Sequence, residues 1–287
     1  MRWARCLPYF LIVLLLFLVA AFFREPRLLF RSGLVASISQ PPPPRLVNAA
    51  SPDQQAYALV AQAIDNVRKQ DRSLLRTAIR FRSHVSALSY RGEGVYYQAA
   101  DSRFRLDVKL RRDSGQMDSG LIAVGDGRHR WEAIKDSSGR LHQVQRSKQG
   151  ESGPTASIQP GALACGPQSL LSNLSKHIVW VGAQVEGNHR YVHGTWPLVS
   201  RPKLVPPGQP WPADLPRCCR LRLDGPDCWP GRLEWWGPHR DGGEDTLLLE
   251  LEYARPDQKV PLSEEEKMRL FTFEPGTAKV LDLTAPR

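Results

Sequence analysis

The sequence predicts a mainly β protein with two α-helices, in which a long antiparallel sheet curls beneath a helical cover and an apolar N-terminal segment meets a membrane. Three observations predict it. After Arg72 most of the chain alternates apolar and polar residues with a period of two. Turn-forming clusters break that alternation at short intervals, and no regular strand–helix alternation suggests a parallel sheet. The first residues hold a long uncharged apolar run. A chain of 287 residues suits a single all-β domain after such a run.

The opening reads "MRWARCLPYFLIVLLLFLVAAFFREPR". Arg2 and Arg5 precede an apolar run from Leu7 to Phe23, and Arg24 follows it. The run is at the short end for a spanning helix, which takes about 20 residues. A cleaved secretory signal is the competing reading, with Val19-Ala20-Ala21 as its small-residue site. Phe22, Phe23 and Arg24 follow at once, which favours an uncleaved signal-anchor over residues 1–23. Either reading places the bulk of the chain outside the cytoplasm, in the periplasm of a two-membrane cell. Cys6 precedes the run, unlike a lipidated cysteine. Residues 24–50 form a linker whose four prolines, Pro41 to Pro44, favour an extended polyproline spacer. The folded domain then covers residues 51–287.

Ser51-Pro52-Asp53-Gln54 opens the first helix, with Ser51 as N-cap, Pro52 at the first helical position and Gln54 closing a capping box. Tyr57, Val60, Ile64 and Val67 follow at helical spacing, with Ala56, Leu59 and Ala63 beside them. Gln54, Gln62, Asp65, Arg68 and Lys69 form the polar face. The wide apolar stripe favours packing on a sheet.

Strand candidates follow. Ser89–Gln98 carries Val95, Tyr96 and Tyr97. In "RFRLDVKLR", Phe104, Leu106, Val108 and Leu110 share one face, and Arg105, Asp107, Lys109 and Arg111 the other. Leu121–Val124 is apolar on both faces and belongs in the middle of the sheet; Gly125-Asp126-Gly127 reverses it into a strand with His129, Trp131 and Ala133 on one face. Leu141–Arg146 is short and polar, and Ile178–Glu186 turns at Gly187-Asn188 into His189–Trp196. Cys218–Leu223 faces Gly231–Trp236, and Leu247, Leu249, Leu251 and Tyr253 line one face of "TLLLELEY". Further turns are expected at Asp136-Ser137-Ser138-Gly139 and Asp241-Gly242-Gly243. Leu170, Leu171 and Leu174 mark a short helix over Gln168–His177, and Arg201–Pro216 is a proline-rich loop unfit for a central strand. Two helices cannot fill the inside of a sheet of about ten strands, so an apolar cavity is expected between them.

The remaining chemistry is sparse. The net charge of +10 fits an anionic membrane surface or nucleic acid, but the basic residues alternate with apolar ones, as on a solvated strand face, and nucleic-acid binding is not expected. Cys219 and Cys228 flank a probable turn at Asp224–Asp227 and could pair across a hairpin; free thiols are the equal alternative. A zinc site is not expected, since Cys218 and Cys219 are adjacent and a fourth ligand is missing. His189 and His193 have the spacing of a zinc helix but lie on a strand, where four residues span about 13 Å. "SEEEK", Ser263 to Lys267, reads as a solvated acidic run. Neither a nucleophile elbow nor a phosphate loop occurs, so neither an enzyme nor a cofactor is expected. Trp235 and Trp236 must face opposite ways on a strand.

Two segments carry a family resemblance. "LIAVGDGRHRWEAI" in the middle and "FTFEPGTAKVLDLT" (Phe271 to Thr284) near the end, in that order after an amphipathic opening helix, resemble the LolA-like family of outer-membrane lipoprotein carriers and their distant relatives. The resemblance runs from about Pro52 to Thr284. It implies a strongly curved, incomplete β-barrel with helices as a lid, and a cavity that takes acyl chains of a lipid or lipoprotein. A retained anchor departs from a diffusing shuttle and points to a tethered binding role. On this basis Phe104, Leu106, Val108, Leu110 and Trp131 are expected on the concave wall, and Tyr57, Val60 and Ile64 in the lid. A sensor or regulatory module of the same fold, acting through a protein partner as in relatives that control an anti-sigma factor, is the alternative.

Overall fold

The computed structural model describes residues 52–70, 74–84, 89–99, 101–112, 119–149, 166–197, 209–211, 215–238, 245–256 and 262–284. The expected signal-anchor (1–23), the proline linker (24–50) and the turn at Asp241–Gly243 lie outside the described residues. Among the described residues no helix is long and apolar enough to cross a membrane.

Twelve strands form one sheet: β1 (Leu74–Ser83), β2 (Tyr90–Ala99), β3 (Phe104–Arg112), β4 (Ser119–Gly125), β5 (His129–Lys135), β6 (Leu141–Lys148), β7 (Val179–Glu186), β8 (His189–Thr195), β9 (Cys218–Asp224), β10 (Trp229–Pro238), β11 (Asp245–Tyr253) and β12 (Val280–Asp282). The spatial order is β12-β6-β5-β4-β3-β2-β1-β11-β10-β9-β8-β7. Consecutive strands pair as hairpins on either side of a central β1–β11 ladder, and only β12 runs parallel to its neighbour, β6. The sheet is open, with β12 and β7 at its edges, so it is not a closed barrel.

Three helices accompany it: α1 (Gln54–Gln70), α2 (Gly166–His177) and α3 (Glu264–Leu270). α1 begins at Gln54, two residues later than the sequence suggests. Asp53, not Ser51, caps it: its carboxylate accepts from the amides of Gln55 (2.8 Å) and Ala56 (3.3 Å). The buried stripe is Ala56, Val60, Ala63 and Val67. The small alanines let the helix approach closely, and that rotation leaves Tyr57 37% exposed and Ile64 at the rim of the core. α1 packs on β7, β8, β10 and α2. α2 reaches β2, where Gly166 lies against the Tyr96 ring and Gln168 accepts from Gln98 (3.3 Å). β2 and β7 are six steps apart in the strand order, a distance of about 29 Å in a flat sheet. Between them the two touching helices bridge from β2 to β7 across one face of the sheet.

The acidic run at Ser263–Lys267 is solvated as expected, with Glu264, Glu265 and Glu266 exposed, and it is helical, opening α3. Ser263 accepts from the amide of Glu266 (3.2 Å), and the Glu266 carboxylate accepts from the amide of Ser263 (2.8 Å), which closes a capping box. Glu264, Glu265 and Glu266 at its start complement the helix dipole.

Candidate functional site

Register decides which side chains meet. Directly opposed residues in an antiparallel ladder point to one face. Leu106 opposes Tyr96 and Ala123, and Ala123 opposes Glu132. Val108 opposes Gly94 and Leu121, and Phe104 opposes Gln98. This inner face continues through Ile79 and Tyr253 to Leu251, Leu233 and Leu221. Phe104, Leu106 and Val108 are buried there, in one cluster with Val60, Ala63, Leu170 and Leu174 of the helices. Leu110 and Ile64 are half-buried against the same cluster. Six of the eight residues expected to line a cavity therefore share one apolar layer, between the sheet and α1 and α2.

Two do not. Tyr57 lies on the outward side of α1, as described. Trp131 is on the wrong face of the sheet. It opposes Val124, the neighbour of Ala123, so it points away from Leu106. The period of two grouped Trp131 correctly with His129 and Ala133; which of the two faces looks inward is fixed by the ladder to β4. On the outer face Trp131 stacks on Phe273 at 5.5 Å between ring centroids, Arg146 lies over the ring at 5.4 Å, and the indole N–H donates to Asp126 at 3.3 Å. The C-terminal segment thus covers this patch. Phe271 is buried beneath the Arg103 guanidinium (5.2 Å), Arg105 donates to the Leu270 carbonyl (3.2 Å), and β12 is pinned by the Arg146–Asp282 ion pair.

Of the two alternatives for Cys219 and Cys228, free thiols hold and the pairing does not. Cys218, Cys219 and Cys228 are buried free thiols. Cys219 opposes Trp235 deep in the β9–β10 ladder, whereas Cys228 adjoins the turn, beside the Trp229–Asp224 pair. Five residues of strand, about 17 Å, separate those rungs, far beyond disulfide reach. Cys228 instead contacts Gln62 of α1 (3.4 Å) and Arg190 (3.1 Å). Burial pushes the Cys218 thiol up to about 12 and Cys219 well above its usual range.

The sequence missed an aromatic group at the other end of the inner face. Trp180 opposes Gly194, which opposes Cys219, which opposes Trp235, so both indoles point inward. Trp196 stacks on Trp235 at 6.2 Å and donates to the Pro216 carbonyl at 2.8 Å. Trp180 and Trp235 are 0% and 1% exposed, and neither indole N–H has an acceptor among the described residues. Trp235 and Trp236 do face opposite ways, as expected, on a regular stretch of the β9–β10 ladder where they oppose Cys219 and Cys218. Trp236 is nevertheless buried, on the outer face beside Cys218 and Leu247.

The outer face carries charge. Glu234 is 3% exposed, accepts from Arg220 (2.7 Å) and the Trp236 indole (3.1 Å), and forms an ion pair with Arg232 (2.9 Å). Arg232 also bridges to Glu250 (2.7 Å). Burial raises the Glu250 carboxyl above its usual range, with Arg232 opposing that rise. His189 and His193 share this face four residues apart; His189 pairs with Asp224 (2.8 Å) and burial lowers His193. Among the described residues no group of histidine, cysteine or carboxylate side chains could hold a metal.

No protein-family model and no curated protein matches the chain. Solved structures do. Crystal structures of LprF from Mycobacterium bovis (12% identity, TM-score 0.34, covering 75% of this chain and 99% of that one) and of a LolA superfamily protein from Nitrosomonas europaea (11%, 0.29, 76% and 97%) are similar to it. So is the MucA/MucB complex of Pseudomonas aeruginosa (13%, 0.31, 74% and 60%), where the chain spans less than two thirds of the matched protein.

Proposed function

We propose that this chain is a membrane-tethered, extracytoplasmic, non-catalytic protein that binds the acyl chain of a lipid or lipoprotein between the inner face of its sheet and α1 and α2. The observation that carries the reading is the pair of buried indole donors, Trp180 and Trp235, at the end of a mainly apolar layer that also holds Thr77 and Gln98. A buried donor without an acceptor costs about 1–3 kcal/mol. The carbonyl of an acyl ester or amide would supply that acceptor while its chain lies along Phe104, Leu106 and Val108. Those residues are closed over by the helices, so the ligand enters by parting α1 and α2 from the sheet. The apolar run Leu7–Phe23 supplies the tether and places the domain outside the cytoplasm.

The test is native mass spectrometry of the chain purified from an exporting host, with and without Trp235→Phe. A co-purifying acyl lipid that is depleted in the variant supports the reading. A ligand-free protein that also ignores added phospholipid and lipoprotein sinks it.

A second reading rests on the sheet edge. β7 is an edge strand and its Val185 is 66% exposed. An extended segment of a protein partner could add there as a further strand. Recovery of one stoichiometric partner in pull-downs, lost when Val185 is replaced by proline, would favour a regulatory module.

A further inference from the structure

A second apolar layer lies on the outer face of the sheet. Ile122 opposes Ala133, which opposes Val144, which pairs with Val280 of β12. The next rung runs from Val124 through Trp131 and Arg146 to Asp282. Ile122, Val124, Ala133 and Val144 are at most 5% exposed, although α1 and α2 pack on the other face. Among the described residues the C-terminal segment covers this side. Phe273 stacks on Trp131, Phe271 is buried under the Arg103 guanidinium, and β12 continues both rungs.

This cover is held more lightly than the helices on the inner face. α3 buries no side chain, and its capping box and the Lys267–Glu264 and Arg269–Glu265 pairs support it only locally. β12 offers three rungs to β6, where every other ladder has at least five, and it is the single parallel strand among those described. Parallel pairing is slightly less stable per residue. The Arg146 and Asp282 side chains that pin it are 34% and 36% exposed, and ion pairs so placed contribute little. Leu281 and Leu283 face water, at 43% and 42% exposed. Two rings, Phe271 and Phe273, therefore carry most of the hold. A segment with few buried apolar contacts opens at a lower free energy than the sheet beneath it.

We propose that residues 271–283 form a strap that opens while the rest of the sheet stays folded, and that an extended segment of a protein partner, of the same chemistry, takes its place. The strap itself states that chemistry: two aromatic side chains flanking one residue, then an acidic residue on a strand. In the vacated site the aromatics meet Trp131 and the Arg103 guanidinium, the carboxylate meets Arg146, and the backbone pairs with β6. β6 becomes the edge of the sheet once β12 leaves, and a free edge accepts an added strand. The closed strap keeps that edge and the apolar layer from unselective pairing. The site lies on the face opposite the proposed acyl site, so either reading can fail alone.

The test uses the full-length chain and a labelled peptide with the strap's own sequence, Phe271 to Thr284. Amide hydrogen exchange is read over β12 and over β1. The expected result is exchange of β12 about tenfold or more faster than β1, with a smaller urea dependence. Phe273→Ala speeds β12 several-fold further and leaves β1 as it was; Asp282→Asn does the same should the first variant not fold. Fluorescence anisotropy then shows the peptide binding several-fold tighter to the loosened variant than to the unaltered chain. Alanine at both phenylalanines of the peptide abolishes that binding. β12 and β1 amides that exchange together, with one urea dependence, overturn the proposal. So does peptide binding that loosening the strap does not strengthen, or that the aromatic-free peptide reproduces. A loosened chain that dimerises without peptide assigns the site to the strap of a second copy and overturns the partner.

Discussion

Trp131 stacks on Phe273 with ring centroids 5.5 Å apart, on the face of the sheet that looks away from α1 and α2. A strand residue and one from the C-terminal segment thus build a second, smaller apolar contact on the outside of the fold. Aromatic pairs of this kind contribute about 0.5–1.5 kcal/mol beyond their buried area. A double-mutant cycle with Trp131→Ala and Phe273→Ala, read by urea unfolding, should return a coupling in that range. Neither variant should change retention of a lipid bound on the inner face.

Removing Leu106 should behave differently. It is fully buried among sheet and helix residues. Leu106→Ala is expected to cost about 2–5 kcal/mol by the loss of buried methyl groups and the void left behind. Chemical denaturation checks this, and Tyr57→Ala on the exposed side of α1 serves as the comparison, with an expected change under about 1 kcal/mol.

Glu234 concentrates risk in one carboxylate. Arg220, Arg232 and the Trp236 indole all depend on it, and all are at least three-quarters buried. Glu234→Ala should destabilise by about 3 kcal/mol, because it strands the Arg220 guanidinium and an indole donor, while Arg232 keeps Glu250. Glu234→Gln should recover part of that loss through the indole and one arginine.

Acid should loosen the β5–β6 turn before the rest. Hydrogen bonds, first from the Ser138 hydroxyl and then from the Arg140 amide and His142, hold Asp136 down at about 2. A carboxyl with a folded value below its unfolded one stabilises the fold above the unfolded pKa of about 4 and loses that contribution as pH falls towards 2. Amide exchange at Ser138 and Arg140 should accelerate over that window, and Asp136→Asn should make it flat. Glu250 works in the opposite sense: its folded value is raised, so it costs stability as pH rises through and above the unfolded value.

The three described cysteines should be silent. Iodoacetamide at pH 8 is expected to leave Cys218, Cys219 and Cys228 unmodified in the folded chain and to label all three in urea. Labelling of a Cys219–Cys228 disulfide only after reduction would contradict the ladder register.

Much of the sheet was legible because alternation and turn chemistry are local. The strands around Phe104, Leu121, His189, Cys218 and Leu247 were placed within a residue or two, and Gly127 and Gly187 take the positive φ that their turns required. Two local signals were passed over. β1 alternates Leu75, Thr77, Ile79 and Phe81 on its inner side, a period of two broken on the outer side by Ala78 among arginines. Ser263 and Glu266 have the spacing of a capping box, which the acidic character of the run concealed.

Sequence by itself determined which residues share a face: Phe104 with Leu106 and Val108, Trp131 with His129 and Ala133, and Trp235 against Trp236. It could do so because a strand has a fixed period of two. Only the tertiary structure decided which face is the inside. That depends on how β4 registers against β3 and β5, on where the C-terminal segment lands, and on the rotation of α1 set by Ala56 and Ala63. These are contacts between residues far apart in the chain, and no local pattern encodes them. The strapped outer layer and the paired indole donors, which carry both functional proposals, exist for the same reason: each is assembled from rungs of several strands and is visible in none of them alone.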